Sequence, residues 1–166
     1  KMSADECVTK GERYIYNFLA KYLSDDFKIY TNVLLLNLGN DGLGSEDEVD
    51  FIIFHKRLGL LVAEVKDWQV DQIQDVDSYL IRFKFDRIKK NPNRTVYSKS
   101  IRLRNTLGQH PEFLSYDHHV MPIHGCCFFP NIRLSAWQQK LNALYIRDAQ
   151  NVGICERTAL FKEDFD

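Results

Sequence analysis

The sequence has no apolar run approaching the ~18 residues that cross a bilayer, and no secretory leader with a cleavage site. A soluble, intracellular protein in the cytoplasm, with no membrane partner, is expected. It also lacks a G-x-x-x-x-G-K-[ST] loop, a G-x-G-x-x-G turn after a strand and a G-x-S-x-G elbow. Nucleotide hydrolysis and a serine triad are therefore without support in this stretch of chain. Its four cysteines, Cys7, Cys126, Cys127 and Cys155, show no C-x-x-C spacing, and the adjacent pair lies inside an apolar run. They are expected as small buried hydrophobes in a reducing compartment rather than as a disulfide or zinc site. An excess of charge of one sign is missing too: 22 basic against 23 acidic residues leave −1. Any phosphate-binding surface must then be a local patch.

What is present is enough for one domain with a real core, 166 residues being too few for two ordinary ones. The chain starts at Lys1 without an initiator, so residues 1–166 are expected to form a single domain cut from a longer protein.

The stretch Glu48–Lys66, EVDFIIFHKRLGLLVAEVK, holds two apolar runs of strand length, Phe51–Phe54 and Leu60–Ala63, separated by polar residues and Gly59. This pattern predicts a β-hairpin. Opposed residues of an antiparallel pair share a face, so loop parity decides which side chains meet. A three-residue loop, Lys56–Leu58 closed by Gly59, sets Asp50 opposite Glu64, with Lys66 about 6.6 Å further along the same face. An even loop without a bulge would separate them. Charges on so apolar a hairpin are either edge-strand and turn charges or a metal site of hard oxygen ligands for Mg²⁺ or Mn²⁺ with a lysine beside them.

Upstream, Ser3–Leu23 predicts an amphipathic helix, and Val8, Glu12, Ile15, Leu19 and Tyr22 step along one stripe of it. Glu12 either borders that stripe and reaches solvent or points along the face that packs on the sheet. With the hairpin acids nearby in the fold, the second reading is preferred.

The run GER at Gly11, then EVDF, then LLVAEVKDW followed by a short strand and the Asn91-Pro92 pair, resembles the nuclease-related domain (NERD) family, a branch of the PD-(D/E)XK nucleases. The resemblance spans roughly Thr9–Phe129. It implies an α/β fold, an α+β mixed sheet flanked by helices with a restriction-endonuclease-like PD-(D/E)XK core. It further implies a metal-dependent nuclease that hydrolyses phosphodiester bonds, with DNA the expected substrate and DNA processing or repair the expected setting. Carried over, Asp50 and Glu64 with the Val65 carbonyl hold Mg²⁺ or Mn²⁺, Lys66 orients or deprotonates the attacking water, and Glu12 completes the site. Fusion to or complex with a helicase or other ATPase module is a further implied partner. One departure stands out: the family's glutamine after the NP pair has no counterpart, Arg94, Thr95 and Val96 standing there.

Along the rest of the chain, Phe27–Leu38 predicts a long strand and Gly39–Asp47 a glycine- and acid-rich loop, and the acids Glu46–Glu48 before the next strand are expected to be solvated. Ser78–Phe85 predicts a strand near a sheet edge. The basic segment Arg87–Arg104 is the one positive cluster, and Thr95–Leu107 within it predicts a helix. Val96, Ser100, Leu103 and Leu107 would face inward and Arg94, Lys99, Arg102 and Asn105 outward. Lys89, Lys90, Arg94, Lys99 and Arg102 are the candidate nucleic-acid contacts, an ordinary solvated helix face being the plainer account. His118, His119, His124 and Cys126 match no zinc-ligand spacing, and Val120–Phe129 predicts a buried strand. Trp137–Arg147 predicts a helix and Val152–Cys155 a last strand. The rival functional reading is a catalytically weak or inactive nuclease fold that binds nucleic acid or a protein partner; a bare protein-interaction domain is a third.

Overall fold

The structure, a computed structural model, describes residues 7, 9–37, 45–76, 79–114, 121–145 and 159–166. Helix α1 (Lys10–Tyr22) starts where Thr9 caps it: the Thr9 hydroxyl accepts the Glu12 N–H at 3.1 Å and donates to Glu12 Oε1 at 2.8 Å. This is the capping chemistry of a Thr with Glu three residues on. The helix therefore begins seven residues after Ser3. Ile15, Tyr16 and Leu19 bury its apolar side, whereas Tyr22 is exposed, contrary to its place on the expected stripe.

Strands β1 (Phe27–Asn37), β2 (Ser45–His55) and β3 (Gly59–Val65) form an antiparallel meander. β2 begins at Ser45, so the acids expected in a solvated loop are strand residues paired with β1. β4 (Ile73–Val76), β5 (Leu80–Phe83) and β6 (Ile88–Lys90) make a separate three-stranded sheet. β5 lies in its middle, not at an edge; β4 and β6 are both short and were hidden among polar residues.

Helix α2 (Pro92–Gly108) follows, with Asn91 as N-cap and Pro92 in its first turn, where a missing N–H is harmless. It carries the chain back to β7 (Ile123–Phe129), which runs parallel to β3. Helix α3 (Leu134–Tyr145) leads on, and β8 (Ala159–Phe161) pairs parallel with β7, completing a mixed sheet in the order β1-β2-β3-β7-β8. The expected strand Val152–Cys155 lies outside the described residues, as do His118, His119 and Cys155.

The two faces of this sheet are separately covered. On one, Val49, Ile52, Val62, Ile123, Cys127 and Phe129 pack with α2, α3 and the three-stranded sheet. On the other, Phe51, Ile53, Ala63, Val65, Cys126 and Phe128 pack under α1 and Phe165. Alternation along β3 and β7 thus sends neighbouring residues into different cores. Phe51, Val62, Phe128 and Trp137 are all but fully buried, each contributing about 1.5–3 kcal/mol of transfer free energy. The fold is α+β: a five-stranded mixed sheet flanked by helices.

Candidate active site

The hairpin parity expected from the loop is the one observed. Phe51 faces Ala63 and His55 faces Gly59 across the turn at 56–58, so the same register carries Asp50 to Glu64. Gly59 takes φ +91, and its Cα side lies against the Pro122 carbonyl, leaving no space for a Cβ. Both ladders beside Asp50 are interrupted. The β2–β3 pairing ends at Phe51–Ala63, and the Val65 N–H donates instead to Asp50 Oδ2 at 2.6 Å. The β1–β2 pairing skips Asn32, which takes φ 51, a conformation asparagine tolerates.

Glu64 is 3% exposed, and a buried carboxylate needs partners. It has two ammonium groups. Lys66 Nζ donates to Glu64 Oε2 at 2.7 Å and lies 3.9 Å from Asp50 Oδ2. Lys99 Nζ, from α2, donates to Glu64 Oε1 and to the Glu48 carbonyl. Lys99 was expected to face outward; it is 7% exposed and turned inward. Its position explains this: Val96, Lys99, Ser100 and Leu103 form one i, i+3, i+4, i+7 stripe, and all are buried against the sheet. That spacing was the available signal, masked by the residue type.

Burial, then the charge of Glu64, pushes the Asp50 carboxyl up to about 6, against the pull of Lys66 and the Val65 N–H. For Lys66, burial lowers the pKa, but the charges of Glu64 and Asp50 outweigh it and hold the ammonium above its ordinary value. Behind them, burial pushes the Cys127 thiol up, so it stays protonated and unreactive.

Glu12 comes from α1, on the opposite face of the sheet, yet its charge adds to the upward push on Asp50. It is buried, with its carboxylate taking the Thr9 hydroxyl. The glycine of the GER run has a local reason: a Cβ on Gly11 would stand 3.0 Å from the Asp67 carboxyl carbon, so α1 closes on the chain just after Lys66. Asp67 accepts from the Asn131 amide, and Trp68 packs edge-on against Phe83 with ring centroids 4.9 Å apart.

Asp50, Glu64 and Lys66 thus share one face with Lys99, and Glu12 approaches from the other. The donor set suits a hard dication. Two carboxylates stand opposed, and burial with like-charge crowding already raises one of them; Mg²⁺ binds through one or two carboxylates and keeps several waters. Among the described residues no group of three or more His, Cys, Asp or Glu side chains could hold a metal; His124 is exposed and Cys126 buried, with no zinc cluster around them.

Beside the centre, the β5–β6 hairpin and α2 enclose an open groove of about 450 Å³, lined by Asp47, Tyr79, Lys90, Arg94, Lys99 and Arg102. Four of the five candidate nucleic-acid contacts converge there. The fifth, Lys89, pairs across from Ile81 and does not line it. Arg102 was expected to face solvent; it is half-buried in an ion pair with Asp47, and the Arg94 guanidinium lies 3.9 Å over the Tyr79 ring.

The sequence matches the family described as nuclease-related domain over residues 8–130, about three quarters of the chain. The chain belongs to the nuclease-related domain family. That domain is of PD-(D/E)XK type, a class that typically uses divalent metals, and membership supports a nuclease-related function with nucleic acid as partner. Neither the curated proteins nor the solved structures contain a match. Among the described residues, no helix is long and apolar enough to cross a membrane.

Proposed function

We propose that this nuclease-related domain hydrolyses phosphodiester bonds of nucleic acid, DNA in the first instance, with Mg²⁺ or Mn²⁺. The observation that carries the reading is the opposition of Asp50 and Glu64 across β2 and β3 with the Lys66 ammonium between them. Asp50, Glu64 and the Val65 carbonyl would hold the cation, which supplies Lewis acidity toward a phosphate oxygen and a more acidic water. Asp50 is fixed in orientation by the Val65 N–H, and Glu64 by its two lysines. Lys66, held protonated by both carboxylates, offers N–H donors to the attacking water or to a non-bridging phosphate oxygen as negative charge builds there. Glu12, whose charge reaches Asp50 from the other face of the sheet, would hold a water or a second metal. Lys90, Arg94 and Arg102 line the path of the flanking backbone.

A second reading has its own support. Lys99 occupies one oxygen of Glu64, so the centre is already partly neutralised, and the family's glutamine after the Asn91-Pro92 pair has no counterpart, as in a module that binds nucleic acid without cutting it. The two separate on one experiment: incubation of end-labelled single-stranded and duplex DNA with Mg²⁺, Mn²⁺ or EDTA, beside Asp50→Ala and Glu64→Ala. Cleavage that requires metal and vanishes in both variants is expected. Cleavage persisting in both would remove the assigned centre, and no cleavage by a folded wild type would favour the binding module.

A further inference from the structure

We propose that the groove between the β5–β6 hairpin and the first turns of α2 takes a single-stranded stretch of DNA beside the candidate centre, with the Tyr79–Arg94 pair as the platform on which one base stacks. This rests on the nucleic-acid reading above and adds to it the strandedness of the substrate.

Three observations converge. The groove, about 450 Å³, falls in the range of small-ligand sites, roughly 300–1,000 Å³, room enough for a nucleotide or two. Its charge complements a phosphate backbone. Lys99 and Arg102 are committed to Glu64 and Asp47, but Lys90 and Arg94 stand in no ion pair among the described residues. The third observation is the aromatic content. Tyr79, which lines the groove, is 63% exposed although the Arg94 guanidinium stands 3.9 Å from its ring centroid. Tyr97, three residues from Arg94 on α2 and outside the groove lining, is 66% exposed.

An exposed ring set among cations in a groove is what a single strand needs: the cations follow the phosphates, and unpaired bases offer faces to aromatic rings and guanidinium planes. A duplex, its bases already stacked on each other, could use only the cations. The aromatic part of the surface therefore selects for the unpaired strand.

The test is binding in EDTA, where no metal-dependent cleavage intervenes, of short fluorescein-labelled oligonucleotides by anisotropy. Single-stranded DNA is expected to bind at least tenfold more tightly than the same sequence as duplex. Tyr79→Ala, with its fold checked by circular dichroism, should weaken single-strand binding about tenfold and leave duplex binding unchanged. Tyr79→Phe should restore it, and an abasic oligonucleotide should bind wild type and Tyr79→Ala alike. Equal affinity for duplex, or no effect of Tyr79→Ala, overturns the subsite. Metal-dependent cleavage without strand preference would remove this inference and leave the nuclease standing; Tyr79-dependent single-strand binding by a protein that cuts nothing would do the reverse.

Discussion

The Lys99 ammonium, carried by a helix, is seated on Oε1 of Glu64, a strand residue 35 positions earlier in the chain. Lys66 holds the other oxygen. Removing Lys99 leaves a 3%-exposed carboxylate with one cation instead of two. Lys99→Met should destabilise the fold by about 3 kcal/mol in urea unfolding, Lys66 keeping the loss at the low end for a broken buried pair. Adding Glu64→Gln should recover part of that, since the two side chains are coupled. With a positive charge gone from beside the two carboxylates, Mn²⁺ should also bind Lys99→Met more tightly than wild type; weaker binding would argue against the metal assignment.

Asp50 sets a pH dependence. Folded, it holds its proton up to about pH 6; unfolded, only to near 3.8. Between those values the folded state binds more protons, so this group's contribution to stability falls as pH rises through the window. The full penalty above it is roughly 3 kcal/mol in the metal-free protein. Asp50→Asn cannot ionise. Its stability relative to wild type should be close to level near pH 4 and higher by that amount near pH 7, with saturating Mg²⁺ narrowing the gap. A flat difference across this range would mean the Asp50 carboxyl is not crowded as the geometry implies.

Gly125 of β7 lies against α2: a Cβ there would meet the Val96 carbonyl oxygen at 3.2 Å. Both partners are backbone, so neither swings aside cheaply. Gly125→Ala should cost about 1–2 kcal/mol in unfolding free energy. If Lys99 is displaced with the helix, cleavage should fall about tenfold below wild type at temperatures where both are folded.

Phe85 and Asp86 both adopt positive φ at the β5–β6 turn, and Phe85 is too exposed to be repaid by packing. Phe85→Gly should raise stability by about 0.5–1 kcal/mol, the relief of a left-handed non-glycine residue less the greater entropy of glycine in the unfolded chain. An unchanged or lower thermal midpoint would indicate that the ring has contacts worth more than the strain.

The sequence was most informative where one physical rule decided the outcome. Period-two alternation and an odd loop placed Asp50 against Glu64. The start of α1 was missed: the helix was expected from Ser3, and the Thr9–Glu12 cap that begins it was not read. Where two rules competed, residue type misled. Lys99 lies on an inward stripe by spacing, but lysine is so seldom buried that residue type groups it with the outward Arg94 and Arg102. The acids at 46–48 had loop composition but were recruited into β2 by pairing with β1, a non-local contact that composition does not carry. β4 and β6 were too short and too polar to stand out, and β5 could not be placed mid-sheet without them. The groove belongs to the same class: Tyr79 and Arg94 meet only because a hairpin folds against a helix.

Gly59 contributes no functional group, yet its φ of +91 and its contact with the Pro122 carbonyl fix where the hairpin turns. The Leu60 N–H, bonded to that same carbonyl at 2.9 Å, ties the turn to the chain just before β7. A slip of one residue there would put Glu64 on the α1 side of the sheet and Asp50 out of its reach. In a mutational map scored only by loss of cleavage, Gly59 would rank with the carboxylates five residues downstream and nine upstream. Only a parallel score for folded protein would separate the residue that keeps the count from those that perform the chemistry.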